Sequence, residues 1–242
     1  IFMLPPENKT QPETSPSSPK KRPTQAGIIR NTVGMALFSA LAYVVMLVVH
    51  IPISFLTFDA KDAVLAVAGF IWGPLPAVGM SLLVALLELV TVSGTGLYGF
   101  LMNFVSSAVF CGTASLLYRR HRTIKRVYLS LFVACVALCA SMVLMNLWIT
   151  PLYMGVSTDV ILSLIPTLLL PFNAAKAFLN SGICLLLYKP VVQALRHTGM
   201  LPKKAEAPDA PRPNNVRRRE LLIIGSAVLL IGAAVTVFLL LK

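Results

Sequence analysis

Leu221–Leu241 reads LLIIGSAVLLIGAAVTVFLLL, 21 consecutive residues without a charge. At about 1.5 Å rise per residue, a helix of this length just crosses a hydrocarbon core roughly 30 Å thick. Arg217-Arg218-Arg219 precede the run and Lys242 follows it, so the charges stop where lipid would begin. This stretch places the chain in a membrane, and the rest of the sequence agrees. Hydrophobic residues make up 57% of the 242 and charged residues only 12%, with mean hydropathy +0.80. A soluble domain carries roughly 25% charge.

Moving outward, six more apolar segments precede the last one. They fall at about 28–53, 60–72, 75–93, 97–118, 127–149 and Phe172–Tyr188, punctuated by His50-Ile51-Pro52, Trp72-Gly73-Pro74, Ser93-Gly94-Thr95-Gly96, Arg119-Arg120-His121-Arg122 and Thr150-Pro151. Pro166 and Pro171 predict a break between a loop helix and the sixth span. The expected fold is an all-α membrane protein with six helices over residues 28–192 and one extra C-terminal transmembrane helix over 220–242. Residues 1–27, rich in Pro, Ser, Thr, Lys and Glu, read as a disordered cytoplasmic tail. Residues 193–219 read as a basic, Pro-rich cytoplasmic linker.

The net charge of +12 does not point to nucleic acid, because the basic residues sit in short runs between apolar stretches. All but three of the 21 lysines and arginines (Lys61, Lys176 and Lys242) fall at or before Arg30 at the head of the first span, within 119–126 or within 189–219. The positive-inside rule then puts those pieces, and the N-terminus, in the cytoplasm of a multi-pass plasma-membrane protein. The four cysteines lie inside apolar segments and read as small hydrophobes; no metal site is predicted.

No G-x-x-x-x-G-K-[ST], H-E-x-x-H or G-x-S-x-G motif occurs, so neither an ATPase nor a hydrolase is expected. What remains is polar groups at membrane depth, which are costly unless buried and partnered. Asn173, Lys176 and Asn180 form one stripe on the sixth span. Cys135, Cys139, Met142 and Asn146 share a face of the fifth. Gly99, Asn103 and Ser106 share a face of the fourth. Each Asn alone is more often a helix–helix hydrogen bond than a ligand contact. Three helices carrying Asn near one end, with an ammonium among them, suit a neutral ligand with imide-like donors and acceptors. Phe58, Trp148 and Tyr153 are candidate walls. Lys176 is either a ligand contact or a side chain snorkelling to the interface, and Glu88 either meets a loop hydroxyl or Lys61 or is a proton-coupling carboxylate. Ala36 and Ala40 make a small-x-x-x-small pattern that allows close helix approach.

Several of these residues carry a resemblance. Phe55-Leu56-Thr57-Phe58-Asp59, Gly73-Pro74 and Leu101-Met102-Asn103-Phe104 resemble the substrate-binding S components of energy-coupling factor (ECF) vitamin transporters. Asn146-Leu147-Trp148-Ile149-Thr150-Pro151-Leu152-Tyr153 and Pro171-Phe172-Asn173-Ala174-Ala175-Lys176 are similar to the riboflavin-specific type. The resemblance spans about residues 30–192. It implies a six-helix fold that binds the vitamin near the outer face, under the loop between the first two helices, with Asn146, Asn173 and Lys176 on the flavin. It implies that Ala36 and Ala40 meet a transmembrane coupling subunit, and that two cytosolic ATPases drive release inside. Riboflavin is then a transported ligand and no cofactor is expected. Riboflavin, its phosphate FMN and another vitamin stay open at this point, as do an ion-coupled secondary transporter and a scaffold whose Asn residues only pack helices. Because six spans would build the site, deleting residues 217–242 is expected to leave binding and transport intact.

Overall fold

The computed structural model describes residues 24–120, 123–197 and 214–241. Residues 1–23 of the tail expected over 1–27 and most of the linker expected over 193–219 lie outside the described residues, and the tail's last three residues are the first turn of a helix. In order, the elements are α1 (Gln25–Val48), a hairpin of β1 (Ile51–Ile53) and β2 (Leu56–Phe58), α2 (Lys61–Trp72), α3 (Pro74–Thr91), α4 (Gly96–Arg120), α5 (Ile124–Met154), α6 (Thr158–Leu164), a π turn (Ile165–Leu169), α7 (Leu170–His197) and α8 (Asn214–Leu241). Among the described residues, six helical segments are long and apolar enough to cross a membrane: α1, α3, α4, α5, the α6–α7 unit and α8.

The exception is α2. Its 12 residues reach about 18 Å, too short to span. It is instead enclosed by its neighbours, with every residue from Lys61 to Ile71 buried. The start of α2 shows why the chain needs help to form it. Ala60 occupies the N-cap and has no side-chain oxygen to offer. Asn180 of α7 supplies the cap from across the bundle, its Oδ1 accepting the Ala63 N–H at 2.7 Å. At its other end Gly73 takes φ +101°, a left-handed turn that favours glycine, and Pro74 opens α3 where its missing N–H costs nothing.

The expected break between loop helix and sixth span is corrected. Helix runs from Thr158 to His197 with one π turn inside it. Leu170 donates to the Ile165 carbonyl, five residues back, and Pro166 and Pro171 each follow one of these two positions. The wide turn accommodates both prolines without ending the helix. The helices also outrun their apolar segments: α7 continues to His197 and α8 begins at Asn214. A helix ends where backbone hydrogen bonding ends, whereas hydropathy marks only where lipid would.

Chain direction brings one set of ends together. The hairpin, the start of α2, the ends of α3 and α5, and the starts of α4 and α6 all gather at one end of the bundle. The basic residues Arg119 and Arg120 lie at the other. One apolar core, with Phe110, Leu65 and Val84, fills the bundle. A second, with Phe58, Phe172 and Ile161, lies beneath the hairpin.

Candidate functional site

Under the hairpin, four elements surround a small cavity of about 70 Å³. Phe55, Leu56 and Thr57 form its hairpin side. Asn103 and Ser106 line it from α4, Met142 and Tyr153 from α5, and Phe172, Asn173 and Lys176 from α7. A second, larger cavity of about 410 Å³ adjoins it, within the roughly 300–1,000 Å³ usual for small-molecule sites. The two share Phe55, Leu56, Thr57, Thr95 and Asn103 as a common wall, and the second adds His50, Ser54, Asp59, Glu88 and Ser93. Both thus mix polar and apolar groups, and the second adds the carboxylates of Asp59 and Glu88.

The polar groups are held by a buried ionic network that sequence reading met only in pieces. Lys176 Nζ donates to Asp59 Oδ2 at 2.7 Å. Lys61 Nζ lies 3.6 Å from the same oxygen and pairs directly with Glu88. The other Glu88 oxygen accepts from Asn103 Nδ2 at 3.0 Å. Ser107 donates to Asp62, and Asn180 Nδ2 donates to the Asp59 carbonyl at 3.1 Å. The network therefore links the hairpin, α2, α3, α4 and α7. All of the ion-paired side chains in it are at most 4% exposed. Charges so deep are retained only when paired and hydrogen-bonded. Asp59 Oδ1 and the Ser106 hydroxyl are buried without a partner among the described residues, and each residue lines one of the cavities.

The expected site residues divide. Asn103, Asn173 and Lys176 come together on the cavity wall. Asn173 Nδ2 donates to the Leu169 carbonyl at 2.7 Å, which anchors the amide on its own helix. Lys176 does not snorkel; it stays buried against Asp59. Glu88 meets Lys61, one of the two alternatives considered. Asn146 is fully buried on the α5 face that carries Met142, donating to the Met142 carbonyl at 2.7 Å and accepting from Thr150 at 2.9 Å. It lies beside the cavity lining rather than in it.

Two aromatic expectations need correction. Trp148 is 81% exposed. Two residues beyond Asn146 is a rotation of about 200° around a helix, which turns the indole to the opposite face, away from the cavity. Phe58 also misses both cavity walls. It is drawn into an apolar cluster, its ring 6.0 Å from Phe172 and 5.5 Å from Phe238, where burial of a large aromatic surface is most favourable. Tyr153 does line the cavity and stacks with Tyr98 at 6.0 Å.

Asp59, Asp62, Phe55 and Thr57 are absent from the site expected from sequence, and Lys61 enters there only as a pairing for Glu88. The available signal was charge: Asp59, Lys61 and Asp62 stand at the head of a segment too short to span, and none of them can reach water by snorkelling. On α1, Ala36 and Ala40 are exposed, on the side away from Gly34, Ser39, Ala42 and Met46, which face the bundle.

Comparison with known proteins places this arrangement. Residues 30–192 match the family described as the substrate-specific component of ECF transporters. The riboflavin transporter RibU of Staphylococcus aureus (strain TCH60) is 25% identical over 177 residues, covering 69% of this chain and 93% of that protein. A solved structure of the S component of a bacterial ECF transporter superposes with a TM-score of 0.60 at 25% identity, covering 70% of this chain and 99% of that one. With the family matching more than half of its length and the short buried helix, the hairpin and the cavity in place, this chain belongs to the substrate-specific components of ECF transporters, a multi-pass membrane transport subunit and not an enzyme.

Proposed function

We propose that the chain captures riboflavin from outside the cell and releases it inside, as part of an ATP-driven importer. The observation that carries this reading is the cavity wall. Asn173, Asn103 and Lys176 present amide and ammonium groups to a space that also meets the rings of Phe55, Phe172 and Tyr153 and the hydroxyls of Thr57, Thr95 and Ser106. A flavin has a flat apolar ring system with an imide edge, and a ribityl tail of hydroxyls. The first cavity is small by itself, so in this reading the ligand takes up both adjoining cavities, its imide edge at Asn103, Asn173 and Lys176 and its hydroxyls toward the hydroxyls and carboxylates of the second. The name of the Staphylococcus relative supports the same ligand.

In this reading the hairpin end faces outward and the basic end faces the cytoplasm of the plasma membrane, as the distribution of Lys and Arg favours. The exposed Ala36–Ala40 face of α1 meets the transmembrane coupling subunit, and two cytosolic ATPases complete the complex. Purified from flavin-containing medium, the protein should retain a yellow chromophore and bind riboflavin calorimetrically. A folded, colourless protein that gives no heat with riboflavin defeats the assignment. Ala36→Leu with Ala40→Leu should keep that binding yet abolish ATP-dependent uptake in proteoliposomes. Normal uptake would show that this face meets lipid alone.

A further inference from the structure

Helix α8 lies outside the family match, which ends at residue 192. It packs along α7 at several levels. Near the basic end Glu220 pairs with Lys189, and Ser226 hydrogen-bonds Tyr128 of α5 at 2.6 Å. Midway the helices touch so closely that a Cβ on Gly182 would sit 2.9 Å from the Ala227 carbonyl and 2.7 Å from Ile231. Ala227 and Ala234, seven residues apart, are fully buried on this seam. At the hairpin end Phe238 reaches Phe58, 5.5 Å between rings at an interplanar angle of 45°. Phe58 in turn packs on Phe172, itself a cavity residue.

Phe58 occupies a sensitive position. It closes β2, and the next residue, Asp59, holds Lys176 and Asn180. The preceding residues, Phe55 to Thr57, cover both cavities. Whatever fixes the Phe58 ring fixes both the cover and the carboxylate that orients Lys176. A three-residue hairpin pair is marginal alone, so its order depends on packing from outside it.

We propose that α8 is a strut for the ligand-covering hairpin, with Phe238 a positioning residue that acts through Phe58. The segment that hydropathy shows as a lone extra span is thereby part of the binding machinery, which reverses the expectation that its removal leaves binding intact. The ligand part of the test rests on the riboflavin reading; the hairpin part does not.

The test compares the full chain with Phe238→Ala, Phe238→Leu, a deletion of 214–242, and Leu239→Ala, whose side chain is exposed beside Phe238. Amide exchange of residues 51–58 is measured without ligand, and riboflavin release is timed after loading. Phe238→Ala and the deletion should speed hairpin exchange and accelerate release roughly tenfold, since affinity changes of this kind fall mainly on dissociation. Phe238→Leu should restore much of both, and Leu239→Ala should match the full chain. In a Phe58→Ala background, Phe238→Ala should add little further. Hairpin exchange unchanged in both the deletion and Phe238→Ala overturns the strut. So does an equal loss in Leu239→Ala, which would make α8 a general fold element. If the full chain binds no riboflavin, the ligand assignment falls, while hairpin exchange still decides the strut.

Discussion

Helices α2 and α8 are opposites. The first is 12 residues long, carries Lys61 and Asp62 in its first turn and is almost wholly buried. The second is 28 residues long, and its apolar run turns most of its surface outward, Leu229 being 71% and Leu240 81% exposed. In water the exposed helix would be the polar one. Here the surrounding lipid is as apolar as leucine, so the exposed surface must be apolar, and a charge is cheaper inside the bundle if a partner waits there. The difference teaches where function can lie. Lipid-facing residues answer to the bilayer, and enclosed polar residues answer to each other or to a ligand.

Breaking the network of α2 should have the largest effect. Lys61→Met strands Glu88 and half of the Asp59 environment, and removal of one partner from a buried pair costs about 3–5 kcal/mol. Thermal unfolding in detergent should register this, and Lys61→Met combined with Glu88→Leu should recover much of it. Full stability in the single variant would mean the network is not what holds α2 in place. The mirror experiment puts a charge where α8 faces lipid. Leu229→Lys should disfavour insertion by about 2.5–3.5 kcal/mol, read in a membrane-insertion assay; unhindered insertion would mean that this face is not in lipid.

Within the enclosed set, Asn173 and Asn180 should separate. Asn173 lines the cavity, so Asn173→Ala should weaken riboflavin binding by about one to two decades, the cost of about 1–3 kcal/mol for a lost buried polar partner. Asn180 caps α2 instead, and Asn180→Ala should cost about 1 kcal/mol of stability with a smaller change in affinity measured on the folded fraction. Equal affinity losses would place Asn180 in contact with the ligand. The smallest effect is expected at Trp148. Trp148→Phe should change affinity and stability by less than about 0.5 kcal/mol, as for surface positions generally. A marked loss of binding by calorimetry would reverse its assignment to the outer face.

Much of the site was legible because some of its residues share a helical period. Asn173 and Lys176 stand three apart on one face of α7, and Asn103 and Ser106 three apart on α4, so a stripe on each helix could be read before any packing was known. The network was not legible in that way. Lys176 and Asp59 are 117 residues apart in the chain, as are Asn180 and Ala63, and no local pattern announces a cap or a counter-ion at that distance. Trp148 misleads for the opposite reason: it stands two residues from Asn146 in the chain, yet the roughly 100° turn per residue of a helix puts the two on opposite faces.

The sequence by itself determined that the chain lives in a membrane, where its lipid-facing helices lie, and which polar stripes needed an enclosed environment. These follow from hydropathy and period, which are local properties. Only the tertiary structure decided that Lys176 faces the cavity while bound to Asp59, that α2 is capped by a residue of α7, and that α8 reaches the hairpin through Phe238 and Phe58. Those contacts join segments far apart in the chain, and their energies depend on distance and burial, which exist only once the helices have packed.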